Sequence, residues 1–320
     1  VKHGRFTGRS IISGYVLRKL KLWIFAALYF IAVLTPPCAY GWTGTCHRRL
    51  AALSVRLVIK ANPLSSLSNC SSDSSEGSSH SSKEYLRALS DGSVVPDKRG
   101  ANGWLPPSFH GLTPFHIGGE KLRGKAHIAF RDIMNGVFYV KGDEKELWFQ
   151  SGRALHVIQD LCQPFHTGSG NNESLYHSGY EERVEERIDY FIDRVMKELD
   201  ASKGDIDTFS CIASGYESFV DLPIKAANGG RSDFDELHRL CRQGEWTEGK
   251  WTGSMETLTI RCLLRATKLG ARLIQKVEFL RKQRCVSDYG RFSGNCMATA
   301  SALCGIIFIL WMHYFIYCRG

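Results

Sequence analysis

The run Gly152-Arg-Ala-Leu-His-Val-Ile-Gln-Asp-Leu-Cys-Gln-Pro-Phe-His166 constrains this chain more than any other stretch. His156 and Asp160 stand four residues apart, and so do His177 and Glu181 a little further on. On a helix such pairs share one face about one turn apart, so each can close on one metal ion. Pro164 ends the first helix and leaves His166 on the turn between the two pairs. Five nitrogen and oxygen donors therefore fall within 26 residues. One such pair is ordinary on a helix surface. Two pairs flanking a third histidine are not, because three imidazoles and two carboxylates buried without partners would cost several kcal/mol each. The imidazole content favours zinc over magnesium or calcium.

The rest of the chain reads as helical. Arg48–Ala61 has apolar residues at helical spacing, and 120–135 does likewise and is expected to stop at Gly136. Asp143-Glu-Lys-Glu146 resembles a capping box opening the helix that carries His156. Residues 177–199 are charged on one face and apolar on the other, and 255–284 reads as a long closing helix. No run shows sustained strand alternation, so the expected fold class is all-α. Residues 65–82 are serine-rich and lack apolar periodicity, which predicts a flexible surface loop.

Both ends carry targeting signals. Arg18, Lys19 and Lys21 precede an apolar run over 22–34, and Ala39-Tyr40-Gly41 offers small residues for cleavage. Residues 1–41 therefore read as an N-terminal extension and signal peptide, with an exported mature chain beginning at Trp42. Residues 297–317 are almost wholly apolar and long enough to predict a transmembrane anchor. The net charge of +9 misleads, because six of the basic residues lie in 1–41, where there is no acid. Residues 42–296 hold 34 basic and 32 acidic side chains, which gives no basic face for a stable nucleic-acid partner. Their eight cysteines (46, 70, 162, 211, 241, 262, 285, 296) form no Cys-x-x-Cys knuckle and are read as structural.

Gly152, Leu155, His156, Asp160, Pro164, His166, His177 and Glu181 resemble, position by position, the zinc-dependent phospholipase C family of bacteria. The family's fold is a multi-helix domain with a trinuclear metal site, here expected over residues 42–290. The resemblance adds ligands from upstream. Trp42 stands where the family binds zinc through a free N-terminal amine and carbonyl. His47 fits the histidine opening the first helix. Asp97, in Gly92-Ser-Val-Val-Pro-Asp97, fits another ligand, and His110 heads His-Gly-Leu-Thr-Pro114, with His116 as its rival. His127 is read as an ordinary polar-face histidine.

Carried over, the resemblance implies up to three zinc ions. Asp97, His110, His156 and Asp160 would hold one; Trp42, His47 and Asp160 a second, with Asp160 shared; His166, His177 and Glu181 the third. Zinc lowers the pKa of bound water and neutralises charge on phosphoryl oxygens. The implied activity is hydrolysis of a phospholipid at a membrane to diacylglycerol and a phosphorylated head group, with Asp97 as general base or water-orienting residue. One alternative is a single-strand-specific zinc nuclease, whose Trp–His spacing Trp42-x4-His47 fits, although Glu181 stands where those enzymes carry Asp. Another is a membrane-tethered zinc-binding module without catalysis. A serine hydrolase is not supported, since no Gly-x-Ser-x-Gly elbow occurs.

Overall fold

The computed structural model describes residues 42–62, 65, 67, 80–112, 124–140, 142–168, 173–201, 221–245 and 251–282. Among them are eight α-helices and no strand. They are α1 (Gly44–Ala61), α2 (His80–Gly92), α3 (Ala126–Tyr139), α4 (Glu144–Cys162), α5 (Glu173–Glu186), α6 (Ile188–Ala201), α7 (Asp221–Arg242) and α8 (residues 253–282). Single turns of 3₁₀ helix at Val95–Asp97, Pro107–Phe109 and Pro164–His166 link them.

α4 is the axis of the fold. It starts as the sequence predicts: the Asp143 carboxylate accepts from the Glu146 amide at 2.9 Å, satisfying one donor that the first turn leaves open. From Ala154 to Cys162 every residue is buried, because other helices cover α4 on all sides. α2, α3 and α7 pack directly on it. Two crossings require glycine. A Cβ on Gly152 would lie 2.2 Å from the Leu89 carbonyl of α2, and one on Gly230 of α7 would lie 2.5 Å from the Leu161 carbonyl. α8 closes the other side, where Ser54 Oγ of α1 donates to the Thr267 carbonyl and Tyr180 of α5 meets the Thr259 hydroxyl at 3.0 Å.

Several boundaries differ from expectation. α3 runs through Gly136 to Tyr139, since a single glycine weakens a helix by only about 1 kcal/mol. The segment expected to be one helix from His177 breaks at Arg187, separating α5 from α6. Arg187 lies over the rings of Tyr190, Phe191 and Trp251. The serine-rich stretch is not loop throughout: Ser65 and Leu67 are buried, Ser65 donating to Glu278 at 2.6 Å, and α2 begins at His80.

The expected membrane anchorage is not supported. No helix among the described residues is long and apolar enough to cross a membrane. The longest, α8, carries Arg261, Arg265, Lys268, Arg272, Lys276 and Arg281, far more charge than a bilayer core tolerates. The expected anchor at 297–317 and the expected signal peptide at 1–41 lie outside the described residues.

Candidate metal centre

Eight of the nine residues singled out as ligands converge on the middle and C-terminal end of α4. They form two groups. The first joins two overlapping ligand sets, His47, Asp97 and His156 with His110, His156 and Asp160; the second contains His166, His177 and Glu181. His116 lies outside the described residues, and His127, on α3, belongs to neither group.

The first group is defined by where its protons must point. His156 Nδ1 lies 2.9 Å from the Ser93 carbonyl, which can only accept, so Nδ1 carries the hydrogen and Nε2 faces inward as a lone pair. His110 Nε2 likewise faces the Leu105 carbonyl at 3.2 Å, leaving Nδ1 inward. His47 Nδ1 lies 2.6 Å from the amide oxygen of Gln159, so its Nε2 faces inward too. These inner nitrogens meet only other acceptors. His110 Nδ1 and His156 Nε2 are 3.1 Å apart and lie 2.8 and 3.0 Å from Asp160 Oδ2. His47 Nε2 is 3.3 Å from Asp160 Oδ1 and 3.6 Å from Asp97 Oδ2. His47 Nε2, Asp160 Oδ1 and Asp97 Oδ1 are buried with no hydrogen-bond partner among the described residues.

Acceptors packed this closely need protons or a cation between them. Without a cation the protons are drawn in. Burial opposes charge on His47, but its 3.3 Å approach to the Asp160 carboxylate and the Asp160 and Asp97 charges prevail and push its pKa up to about 9. His110 is raised in the same way, against its burial. Burial would raise Asp160, yet the charges of His156 and His166 and the hydrogen bonds from His110 and His156 hold it well below the usual carboxylate range. Burial raises Asp97, with the neighbouring histidines only partly offsetting it. A divalent ion does the same work without protons. The donor set, three imidazole nitrogens and two carboxylates, is one that zinc accepts.

The second group is compact. Glu181 Oε1 lies 2.8 Å from His177 Nε2 and 3.6 Å from His166 Nε2, and the two imidazole nitrogens are 3.1 Å apart. Gln163 donates to Glu181 Oε1 at 2.9 Å, while Glu181 Oε2 is buried with no hydrogen-bond partner among the described residues. Burial lowers His166; Glu181, although burial would raise it, is lowered by His177 and His166. These donors also fit zinc.

Two side chains open the groups to solvent: Asp97 is 22% exposed and His177 14%. Trp42 is fully buried beside the first group, its indole N–H donating to the Gln159 carbonyl at 3.1 Å. Its ring lies 6.0 Å from Tyr180, which in turn lies 5.9 Å from Phe165, so an aromatic wall stands beside both groups. Sequence reasoning missed Gln159, Gln163, Ser93 and Leu105. The two glutamines carried a signal: each is a polar residue in a stretch, from Ala154 to His166, that is otherwise ligand or apolar. The carbonyls carried none, since any residue supplies one.

The family model described as zinc dependent phospholipase C matches residues 58–230, more than half of the 320 residues. This chain belongs to that family. The match includes every singled-out residue except Trp42 and His47, which lie upstream of it. The fold is similar to the crystal structure of Clostridium perfringens alpha-toxin from an avian strain, with a TM-score of 0.50 and 17% identity. The similarity covers 77% of this chain and 65% of the toxin, so this chain spans less than two thirds of the toxin's length. No curated protein sequence matches the chain significantly.

The described cysteines are not part of the site. Cys46, Cys162 and Cys262 are buried and free, Cys241 is buried, and burial raises the thiol pKa values of all four, Cys162 to about 12. Thiols held protonated in this way are poor nucleophiles. Cys70, Cys211, Cys285 and Cys296 lie outside the described residues.

Proposed function

We propose that this protein is a zinc-dependent phosphodiesterase acting on phospholipid, releasing diacylglycerol and a phosphorylated head group. The observation that carries the reading is the set of inward-facing lone pairs around Asp160, with the carboxylate of Asp97 at its accessible edge. His47, Asp97, His110, His156 and Asp160 would hold up to two ions, and His166, His177 and Glu181 a third. Bound zinc supplies Lewis-acid chemistry, lowering the pKa of water and offsetting charge on phosphoryl oxygens.

The chain's own residues divide the remaining work. Ser93, Leu105 and Gln159 keep three imidazoles turned with their lone pairs inward. Asp160 presents one oxygen to His110 and His156 and the other to His47, so it can serve two ions. Asp97, raised by burial and partly exposed, is the group best placed to take a proton from an attacking water or to orient it. Trp42 is joined to Gly41 in the uncleaved chain, so its amine becomes a ligand only after cleavage; extending the mature N-terminus by one residue should then weaken zinc binding.

The test supplies zinc-loaded protein separately with mixed phospholipid micelles and with single-stranded DNA or RNA. Chelator-sensitive release of diacylglycerol supports the reading. Release of nucleotides without diacylglycerol would assign the site to a nuclease, and inactivity on both with zinc bound would leave a binding module.

A further inference from the structure

α4 carries Gln159 and is capped at its C-terminal end by Gln163, and no ligand set includes either glutamine. Both are fully buried. Gln159 stands one residue before Asp160 on the last full turn of α4, and Gln163, extended at the cap, turns the chain toward His166. Each amide reaches a different group, and each uses a different atom to do so.

At Gln159 the oxygen does the work. Oε1 lies 2.6 Å from His47 Nδ1, and Nε2 faces the His47 carbonyl at 3.5 Å. The carbonyl accepts only, which fixes the amide's orientation and makes His47 Nδ1 the donor. At Gln163 the nitrogen reaches the group: Nε2 donates to Glu181 Oε1 at 2.9 Å. Its oxygen meanwhile accepts from the Phe165 amide and holds the 3₁₀ turn that presents His166.

We propose that Gln159 and Gln163 are positioning residues, one for each metal group: Gln159 fixes the tautomer and aim of His47, and Gln163 fixes the Glu181 carboxylate and the His166 turn. The proposal rests on the reading of the two groups as zinc sites, but not on any substrate. It separates the two glutamines by sign. Glutamate in place of Gln159 still accepts from His47 Nδ1 at the short contact, gives up only the long 3.5 Å one to the His47 carbonyl, and sets a negative charge behind an imidazole that would bind a cation, so it preserves zinc binding. Glutamate in place of Gln163 sets a carboxylate against Glu181 and loses the donor, so it does not. A merely structural role would make the two substitutions alike, since both bury a charge at the C-terminal end of α4, one in its last turn and one at its cap.

The experiment measures zinc content and affinity by equilibrium dialysis with zinc chloride and elemental analysis, with helix content recorded by circular dichroism. Expected for Gln159→Leu is a loss of roughly tenfold to a hundredfold in affinity for one ion, with Gln159→Glu at or near the parent value. Expected for Gln163→Leu and Gln163→Glu alike is a loss of the same order for a different ion. Where a leucine variant fails to fold, Gln159→Asn or Gln163→Asn, each a methylene too short to reach, gives the same reading. Parent-like binding in the leucine or asparagine variants, or equal losses in Gln159→Glu and Gln163→Glu, overturns the proposal. Absence of zinc from the parent protein overturns it together with the zinc reading. The expected pattern without lipid hydrolysis upholds the positioning role and removes only the proposed substrate.

Discussion

His166, His177 and Glu181 come from 16 residues of continuous chain, whereas His47, Asp97, His110, His156 and Asp160 are gathered from four separate segments. The compact group needs only one helix turn, one proline-led corner and the next helix. The dispersed group needs α1, the turn at Asp97, the loop at His110 and α4 to arrive together. Its imidazoles are held by a carbonyl of residue 93, a carbonyl of residue 105 and the Gln159 amide. The contrast shows two routes to one chemistry. A local site is set by spacing, while a distributed site is set by the packing around α4.

The largest expected effect comes from the residue that the dispersed group shares most widely. Asp160→Asn removes the charge that three imidazoles face, so hydrolysis should fall on the order of a thousandfold. A steady-state assay on lipid micelles checks it. Glu181→Gln in the compact group should cost less. An equal or greater loss there would make the compact group the centre of the chemistry.

Acidity should also separate the groups. In the metal-free protein His47 titrates at about 9, so below that pH zinc must displace a proton from it. Its inward nitrogen becomes free for zinc only as pH rises through that value. Burial holds His166 below its ordinary value, so it offers little proton competition near neutrality. Lowering the pH from 9 to 7 should therefore weaken the dispersed group by about tenfold per unit for each displaced proton, and the compact group much less. Calorimetric titration with zinc at several pH values reads both; parallel weakening would erase the distinction.

A smaller effect tests the scaffold. Gly230 lets α7 lie against Leu161 and Thr167, next to His166. Gly230→Ala should reduce stability by about 1–3 kcal/mol and loosen the compact group before the dispersed one. Thermal unfolding with and without zinc would show it. Unchanged stability would mean that α7 can shift away without cost.

The same contrast explains what the sequence could disclose. His156, Asp160, His166, His177 and Glu181 were legible because helical spacing puts them together without reference to the rest of the fold. The Asp143 cap was legible for the same reason. Asp97 and His110 were placed by family resemblance, since nothing in their local spacing brings them to α4. α7 was not singled out; Asn228-Gly229-Gly230 lies inside it, where Gly230 serves a close helix crossing. The break at Arg187 was hidden because the buried Tyr180, Val184, Ile188, Phe191 and Val195 keep helical spacing across it. The anchor at 297–317 was inferred from apolar length alone, and no described helix provides one.

The central claim is that Asp160 belongs to two ions and Glu181 to one. Elemental analysis of zinc in the purified mature protein and in its Asp160→Asn and Glu181→Gln variants tests it most directly. The account predicts that Asp160→Asn loses more than one ion per chain and Glu181→Gln only one. Equal losses in the two variants would contradict it.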